Sequence, residues 1–312
     1  MEMSSSELFE MGVRYELGHG ADRDPAKAAE CYAKAAELGN AEAGCALGEM
    51  YMSGSGVPKD PEKGISLFRE AAENGSGRAM YDLAMIHLLA PQGTGIERSV
   101  PDAERMLIEA ADRGVTEACS ELGNLYVSGD GVEQDISKAG MWFLKAAEKG
   151  DAVSQFKVAY MYEEGEGFGK DPDEAFRWYR EAAENDFPDA MFKYASMLSS
   201  GTYGKQEDKA TEWYSRAAMA GFVPAMFNLG VIRYTNAQYE EAYKWFEKGA
   251  FEGDADCQFY LGRLSIEGNG VKRDIAKGIG WLRLSARKGN KMAQDIIDRV
   301  EKDGGNQSIR ML

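Results

Sequence analysis

Three groups of residues in this sequence have the types and spacing that chemistry needs. The first is a glycine-rich turn leading to a lysine, "YMSGSGVPKDPEKG" from Tyr51 to Gly64, with the ingredients of a phosphate-cradling loop. The second is Ser154 with Lys157, an S-x-x-K pair in which a lysine could serve a nucleophilic serine. The third is a sparse set of metal-binding side chains: Cys31, Cys45, Cys119 and Cys257, with His19 and His87. Each reading meets an obstacle. A phosphate loop is built once, but this turn returns as "YELGHGADRDPAKA", "YVSGDGVEQDISKA", "YEEGEGFGKDPDEA" and "SIEGNGVKRDIAKG". Lys63 also falls inside the next helix instead of directly after the last loop glycine. The S-x-x-K pair has no S-D-N or K-T-G element beside it. The cysteines show no C-x-x-C spacing and fall at different points of the recurring pattern. They read as four reduced thiols in a cytosolic chain, with no disulfide framework. No cofactor and no metal are expected.

The recurrence describes the elements that position everything else. A small residue after an apolar one marks a first helix at Gly12, Gly48, Ala84, Gly123, Ala159, Ala195, Gly230 and Gly262. A second small residue opens the buried stripe of a second helix at Ala28, Gly64, Ala103, Ala139, Ala175, Ala210, Ala242 and Gly278. From each second mark to the next first mark the step is always 20 residues; within a repeat it ranges from 12 to 19. One connection is therefore fixed by stacking and the other is an elastic loop. The second helix repeats a small–aromatic–small stripe, as in Ala139, Phe143 and Ala146, which buries one face. Asp24, Asp60, Asp135, Asp171 and Asp274 precede it as N-caps, with Ser99 in the third repeat. Gly39, Gly75, Gly114, Gly150, Gly221, Gly253 and Gly289 follow it as helix stops.

Composition narrows the function classes. A formal charge of −16 over 312 residues opposes binding to nucleic acid or anionic membrane and favours basic partners. From Val271 onward Lys and Arg outnumber Asp and Glu. No segment is apolar and long enough to span a bilayer, and "MEMSSSELFEMG" lacks the pattern of a signal peptide. The expected location is cytoplasmic.

The stretches "AGCALGEMYMSGSGVPKDPEKGISLFREAAENG" (43–75) and "ACSELGNLYVSGDGVEQDISKAGMWFLKAAEKG" (118–150) closely resemble the Sel-one-like repeat (SLR), a longer-looped relative of the tetratricopeptide repeat. The resemblance covers residues 6–290 as eight repeats. The seventh, "LGVIRYTNAQYEEAYKWFEKGA", has lost the long loop and looks like a tetratricopeptide hairpin. Residues 291–302 read as a capping helix and 303–312 as a disordered tail. The resemblance implies an all-α fold, a single right-handed α-solenoid of helix-turn-helix repeats over 1–302, with a concave face made by the first helices. It also implies a non-enzymatic adaptor that binds a protein or peptide. Some cysteine-rich members have been linked to β-lactam binding, which makes a β-lactam-hydrolysing or penicillin-binding enzyme the alternative. This chain lacks their in-register disulfides.

In tetratricopeptide-like packing, the residues three before and one after the first-helix mark face the groove. The former include an aromatic ladder, Phe156, Phe192, Phe227 and Phe259. Tyr160 and Tyr234 add polar edges, while Glu163, Glu164 and Asp189 supply negative charge for a partner with basic and apolar anchors. The rival reading packs the ladder between helices as core. It places the partner on the convex face or at the basic C-terminal end.

Overall fold

The computed structural model describes residues 3–302. The chain divides into two compact units, Met1–Lys170 and Asp171–Leu312. The boundary falls in the elastic loop of the fifth repeat. The first unit holds α1 (Ser5–Leu17), α2 (Pro25–Glu37), α3 (Ala41–Ser53), α4 (Pro61–Glu73), α5 (Gly77–Leu89), α6 (Val100–Asp112), α7 (Thr116–Ser128), α8 (Ile136–Glu148) and α9 (Ala152–Glu164). The second holds α10 (Pro172–Glu184), α11 (Pro188–Ser200), α12 (Glu207–Met219), α13 (Val223–Thr235), α14 (Tyr239–Phe251), α15 (Ala255–Glu267), α16 (Ile275–Arg287) and α17 (Lys291–Lys302). No strand occurs among the described residues. The expected tail, 303–312, lies outside them.

The aspartates start the second helices as expected. Asp60 accepts from the Lys63 N–H at 3.0 Å and Asp135 from the Lys138 N–H at 2.9 Å, satisfying donors that a helix start leaves open. Lys63 thus has a structural role, and its Nζ donates to the Tyr51 hydroxyl at 2.7 Å. Ser99 departs from the pattern. Its side chain makes no cap bond, and its hydroxyl donates to Asp102 at 2.6 Å. After α2, Gly39 adopts φ +84° and Asn40 N–H donates to the Ala35 carbonyl, closing the helix with a left-handed turn. Asp186 takes that conformation at φ +60°, where other repeats use glycine.

Within a hairpin, the mark glycine receives the aromatic ring of the second helix. A Cβ on Gly48 would lie 2.7 Å from the Phe68 ring, and one on Gly123 would lie 2.5 Å from Phe143. Both rings are buried. Between hairpins, a cation near the end of one second helix ties back to the preceding one. Arg113 donates to the Gly75 carbonyl and Lys149 to that of Gly114, both at 3.1 Å. Cations there also suit the negative end of the helix dipole. At the far end, α17 buries Ala293, Ile296 and Ile297 in a cluster with Leu282 and Phe259, as a capping helix must.

Candidate protein-binding cleft

The expected site residues fall in both units. In the first, α7 and α9 are the first helices of consecutive repeats, and α8 lies beneath them. Between them is a cleft of about 440 Å³. Val127, Phe156, Tyr160 and Met161 form apolar walls, Phe143 is the floor, and Asn124 and Lys157 are polar members of the lining. Tyr160 is 44% exposed and Phe156 is half-buried. Glu163 is half-buried near the C-terminal end of α9, and Glu164 is exposed.

In the second unit the aromatic residues make ring contacts between helices. Phe192 lies 5.6 Å from Tyr214 and 5.4 Å from Phe222. Phe227 meets Phe246 and Tyr260, and Tyr234 meets Tyr239 and Tyr260 edge-on. Asp189 is half-buried in the first turn of α11. Phe259 is 4% exposed and packs against Tyr260 within the cluster that α17 closes. It is a core side chain, offering no surface to a partner. The register explains the difference. Of the positions three before the mark, Cys45 and Phe259 are buried and the other six half-buried. Of those one after it, Glu49, Tyr160 and Ser196 are exposed. The later position is the more open of the two, its other five residues being half-buried.

The S-x-x-K pair does not assemble as a nucleophile and its base. Ser154 is fully buried, its hydroxyl 2.9 Å from that of Ser120, which in turn donates to Asp151 at 3.1 Å. Lys157 Nζ instead donates to Asn124 Oδ1 at 2.6 Å and rests over the Phe143 ring, 4.5 Å from its centroid. Burial, opposed by the charges of Glu121 and Asp151, lowers the Lys157 pKa. The sequence offers Lys157 only as part of a motif that lacks its other elements; its place in the cleft follows from lying on the Tyr160 face of α9, three residues away.

One group gathers metal-ligating atoms: Cys45 Sγ and the carboxylates of Glu49 and Asp82 lie within 4.8 Å of one another. Arg78 already supplies positive charge there, its Nε 3.4 Å from Asp82 and 3.6 Å from Glu49. Cys45 lies 3.4 Å from Asp82 as a thiol donor. This is a compensated ion-pair network. Burial raises the pKa of Asp82 despite Arg78, and partial desolvation of the outward-lying Glu49 with the neighbouring Asp82 charge raises that of Glu49. The folded pair therefore holds protons more tightly than the unfolded chain. Its stabilisation is fullest below the ordinary carboxylate pKa, about 4, and declines as pH rises through the raised folded values. Asp82→Asn lacks that decline, so its Tm relative to the parent should rise between pH 4 and pH 7. A constant difference in matched melts would refute the raised Asp82 carboxyl.

The cysteines are all buried free thiols. Among the described residues, no helix is long and apolar enough to cross a membrane.

Comparison with known proteins accounts for the periodicity. The Sel1 repeat model matches residues 8–40, 41–76, 77–115, 116–151, 152–187, 188–222, 223–254 and 255–290. The seventh repeat is included despite its short loop. The crystal structure of a Sel1 repeat protein from Oxalobacter formigenes is similar, with 32% identity, covering 70% of this chain and 88% of that one at a TM-score of 0.63. So is that of a protective antigen of uropathogenic Escherichia coli strains displaying an SLR fold. It shows 28% identity, covering 96% of this chain and 72% of the other at a TM-score of 0.57. No curated protein matches the sequence. Eight consecutive repeats matched over nearly the whole sequence show that this chain belongs to the Sel1 repeat family, whose members generally act as protein-interaction scaffolds.

Proposed function

We propose that the protein is a non-catalytic scaffold that seats a protein or peptide segment on the face formed by its first helices, with the α7–α9 cleft as an anchor pocket. The observation that carries this reading is the cleft itself, about 440 Å³, apolar-walled and bordered by the solvent-facing Tyr160 ring. Binding energy concentrates in such apolar and aromatic pockets, and an exposed apolar concavity marks an interaction site more often than a stretch of ordinary surface. Phe156 contributes wall area, while Glu163 and Glu164 attract a basic flank. In the second unit, Asp189, Phe192, Phe227 and Tyr234 are proposed to make a partner contact of that unit's own. Phe259 is left out because it is buried.

The test is site-specific photocrosslinking in lysate of the native host. A photoreactive residue at Tyr160 should capture a discrete protein partner. The same residue at Met141, which is 60% exposed on α8, should not. Tyr160→Ala should weaken binding of the captured partner about tenfold, as loss of one aromatic anchor does, with Tm nearly unchanged. Equal capture at both positions, or unaltered affinity in a folded Tyr160→Ala variant, would remove the cleft from the function.

A further inference from the structure

Arginines on the first helices, the exposed Arg78 and the half-buried Arg263, have carboxylates to answer them. Arg78 lies close to Asp82 and Glu49, and Arg263 donates to Glu267 at 2.9 Å. Lys157 is different. It makes no ion pair among the described residues; its ammonium leans on the neutral amide of Asn124 and on the Phe143 ring. Glu121 and Asp151 act on it only at longer range. In a chain of formal charge −16, an ammonium held in an apolar cleft without an anion bears an uncompensated desolvation cost. A ligand carboxylate would offset that cost. With Asn124 Oδ1 occupied by Lys157, the amide N–H groups of Asn124 remain as donors.

The helix also fixes an order of charges. Val153, Lys157, Tyr160 and Glu164 are spaced by four, three and four residues, so they share one stripe of α9. Val153, Tyr160 and Glu164 are exposed. Lys157 and Glu164 are separated by about 10 Å along the axis at a rise of 1.5 Å per residue, with Tyr160 between them and the exposed Glu166 beyond. An extended peptide covers that distance in about three residues. Beyond Lys157 the stripe continues to Val153, 44% exposed, which offers apolar contact to chain running past the carboxylate. Resting on the proposed function above, we infer that the cleft recognises an internal, extended segment in which an Asp or Glu pairs with Lys157, a bulky apolar side chain fills the cleft, and a Lys or Arg about three positions from the acid faces Glu164. The partner's anchors are thus acidic as well as basic and apolar, in a defined order.

The probe is a phage-displayed library of random heptapeptides flanked by constant sequence on both sides, panned against the full-length protein. Enriched sequences are then synthesised with acetylated and amidated ends and measured by fluorescence anisotropy. Enriched peptides should carry the acid–apolar–base order. Lys157→Met, which keeps an unbranched apolar stem, should weaken them about tenfold, and Lys157→Glu more. A peptide with its Glu replaced by Gln should bind parent and Lys157→Met alike, and Glu164→Gln should matter only when the peptide's basic residue is present. Two results would overturn the inference while leaving the cleft in place. One is enrichment of apolar or basic peptides that are indifferent to Lys157→Met yet weakened by Tyr160→Ala. The other is binding only when the synthetic peptide has a free C-terminal carboxylate. An absence of enrichment, or peptides indifferent to Tyr160→Ala, would count against the scaffold reading itself. Unchanged helicity and a Tm no lower than the parent's in each variant exclude misfolding as the cause.

Discussion

Gly56→Ala should cost the first unit several kcal/mol, while Gly20→Ala should cost only a fraction of that. Both glycines are the second glycine of a repeat loop, and both have left-handed backbones, at φ +70° and φ +80°. A Cβ on an L-residue is disfavoured at either site by about 1–2 kcal/mol. The surroundings differ. A Cβ on Gly20 would meet nothing within 4 Å, whereas one on Gly56 would lie 2.3 Å from the carbonyl carbon and oxygen of Pro25 and 2.8 Å from Ala26 N. Those are backbone atoms at the start of α2, in the previous repeat, and no rotamer change can relieve the overlap. Overpacking of this kind typically adds about 1–3 kcal/mol, for a total of roughly 2–5 kcal/mol. In a unit of this size that lowers Tm by on the order of ten degrees. The Gly20→Ala variant subtracts the conformational part, leaving the steric one. Equal destabilisation of the two variants, followed by far-UV circular dichroism during heating, would mean that loop-to-helix stacking contributes nothing.

The same comparison separates what was legible in the sequence from what was not. The constant 20-residue step and the small–aromatic–small stripe are local periodic signals, and they specified the helices and their pairing. The N-cap aspartates were readable because a cap needs only its own helix. The second loop glycine was read as a turn residue, and its φ bears that out at Gly56. Its other reason, the Pro25 backbone of the preceding repeat, lies about thirty residues away in the chain and has no local signature. Contacts between repeats also decided the candidate site. Phe156 and Phe259 occupy equivalent positions, but Phe156 lines a cleft and Phe259 lies under α17. The helices packed around them distinguish the two, α7 and α8 for Phe156 and α17 for Phe259. The place of Lys157 in the cleft was not legible for a related reason. Its spacing from Ser154 matches a catalytic motif, but the side chain that engages it, Asn124, belongs to a different repeat. Ser99 shows that even a local pattern can be diverted: Asp102, one turn on, captures the hydroxyl that would have capped the helix.

Leu122→Ala should destabilise the first unit by about 2–5 kcal/mol, the range for truncating a buried leucine. Deletion of Gln92, Gly93 and Thr94 should cost well under that. Leu122 is fully buried in α7, directly before the mark glycine that receives the Phe143 ring. Its removal leaves a cavity inside a hairpin with others stacked on both sides. Stability in such arrays is carried by each repeat together with its nearest-neighbour interfaces, so damage at the fourth repeat also weakens its contacts with the third and fifth. The loop deletion acts where the sequence is elastic. It shortens the third repeat's step from 19 to the common 16. Gly93 has open space around it, and Thr94, though buried, bonds only to Pro91 and Ile96 of the same loop. The base of the loop is held independently: Ser99 N–H donates to the His87 carbonyl, and Arg98 Nε to that of Leu88. Closure entropy changes slowly with loop length, leaving the three-residue change worth only a few tenths of a kcal/mol. Urea titrations of both variants decide between core and loop as the seat of stability. A deletion that unfolds the unit while Leu122→Ala leaves its midpoint unmoved would invert the assignment of fixed and elastic connections on which the repeat register rests.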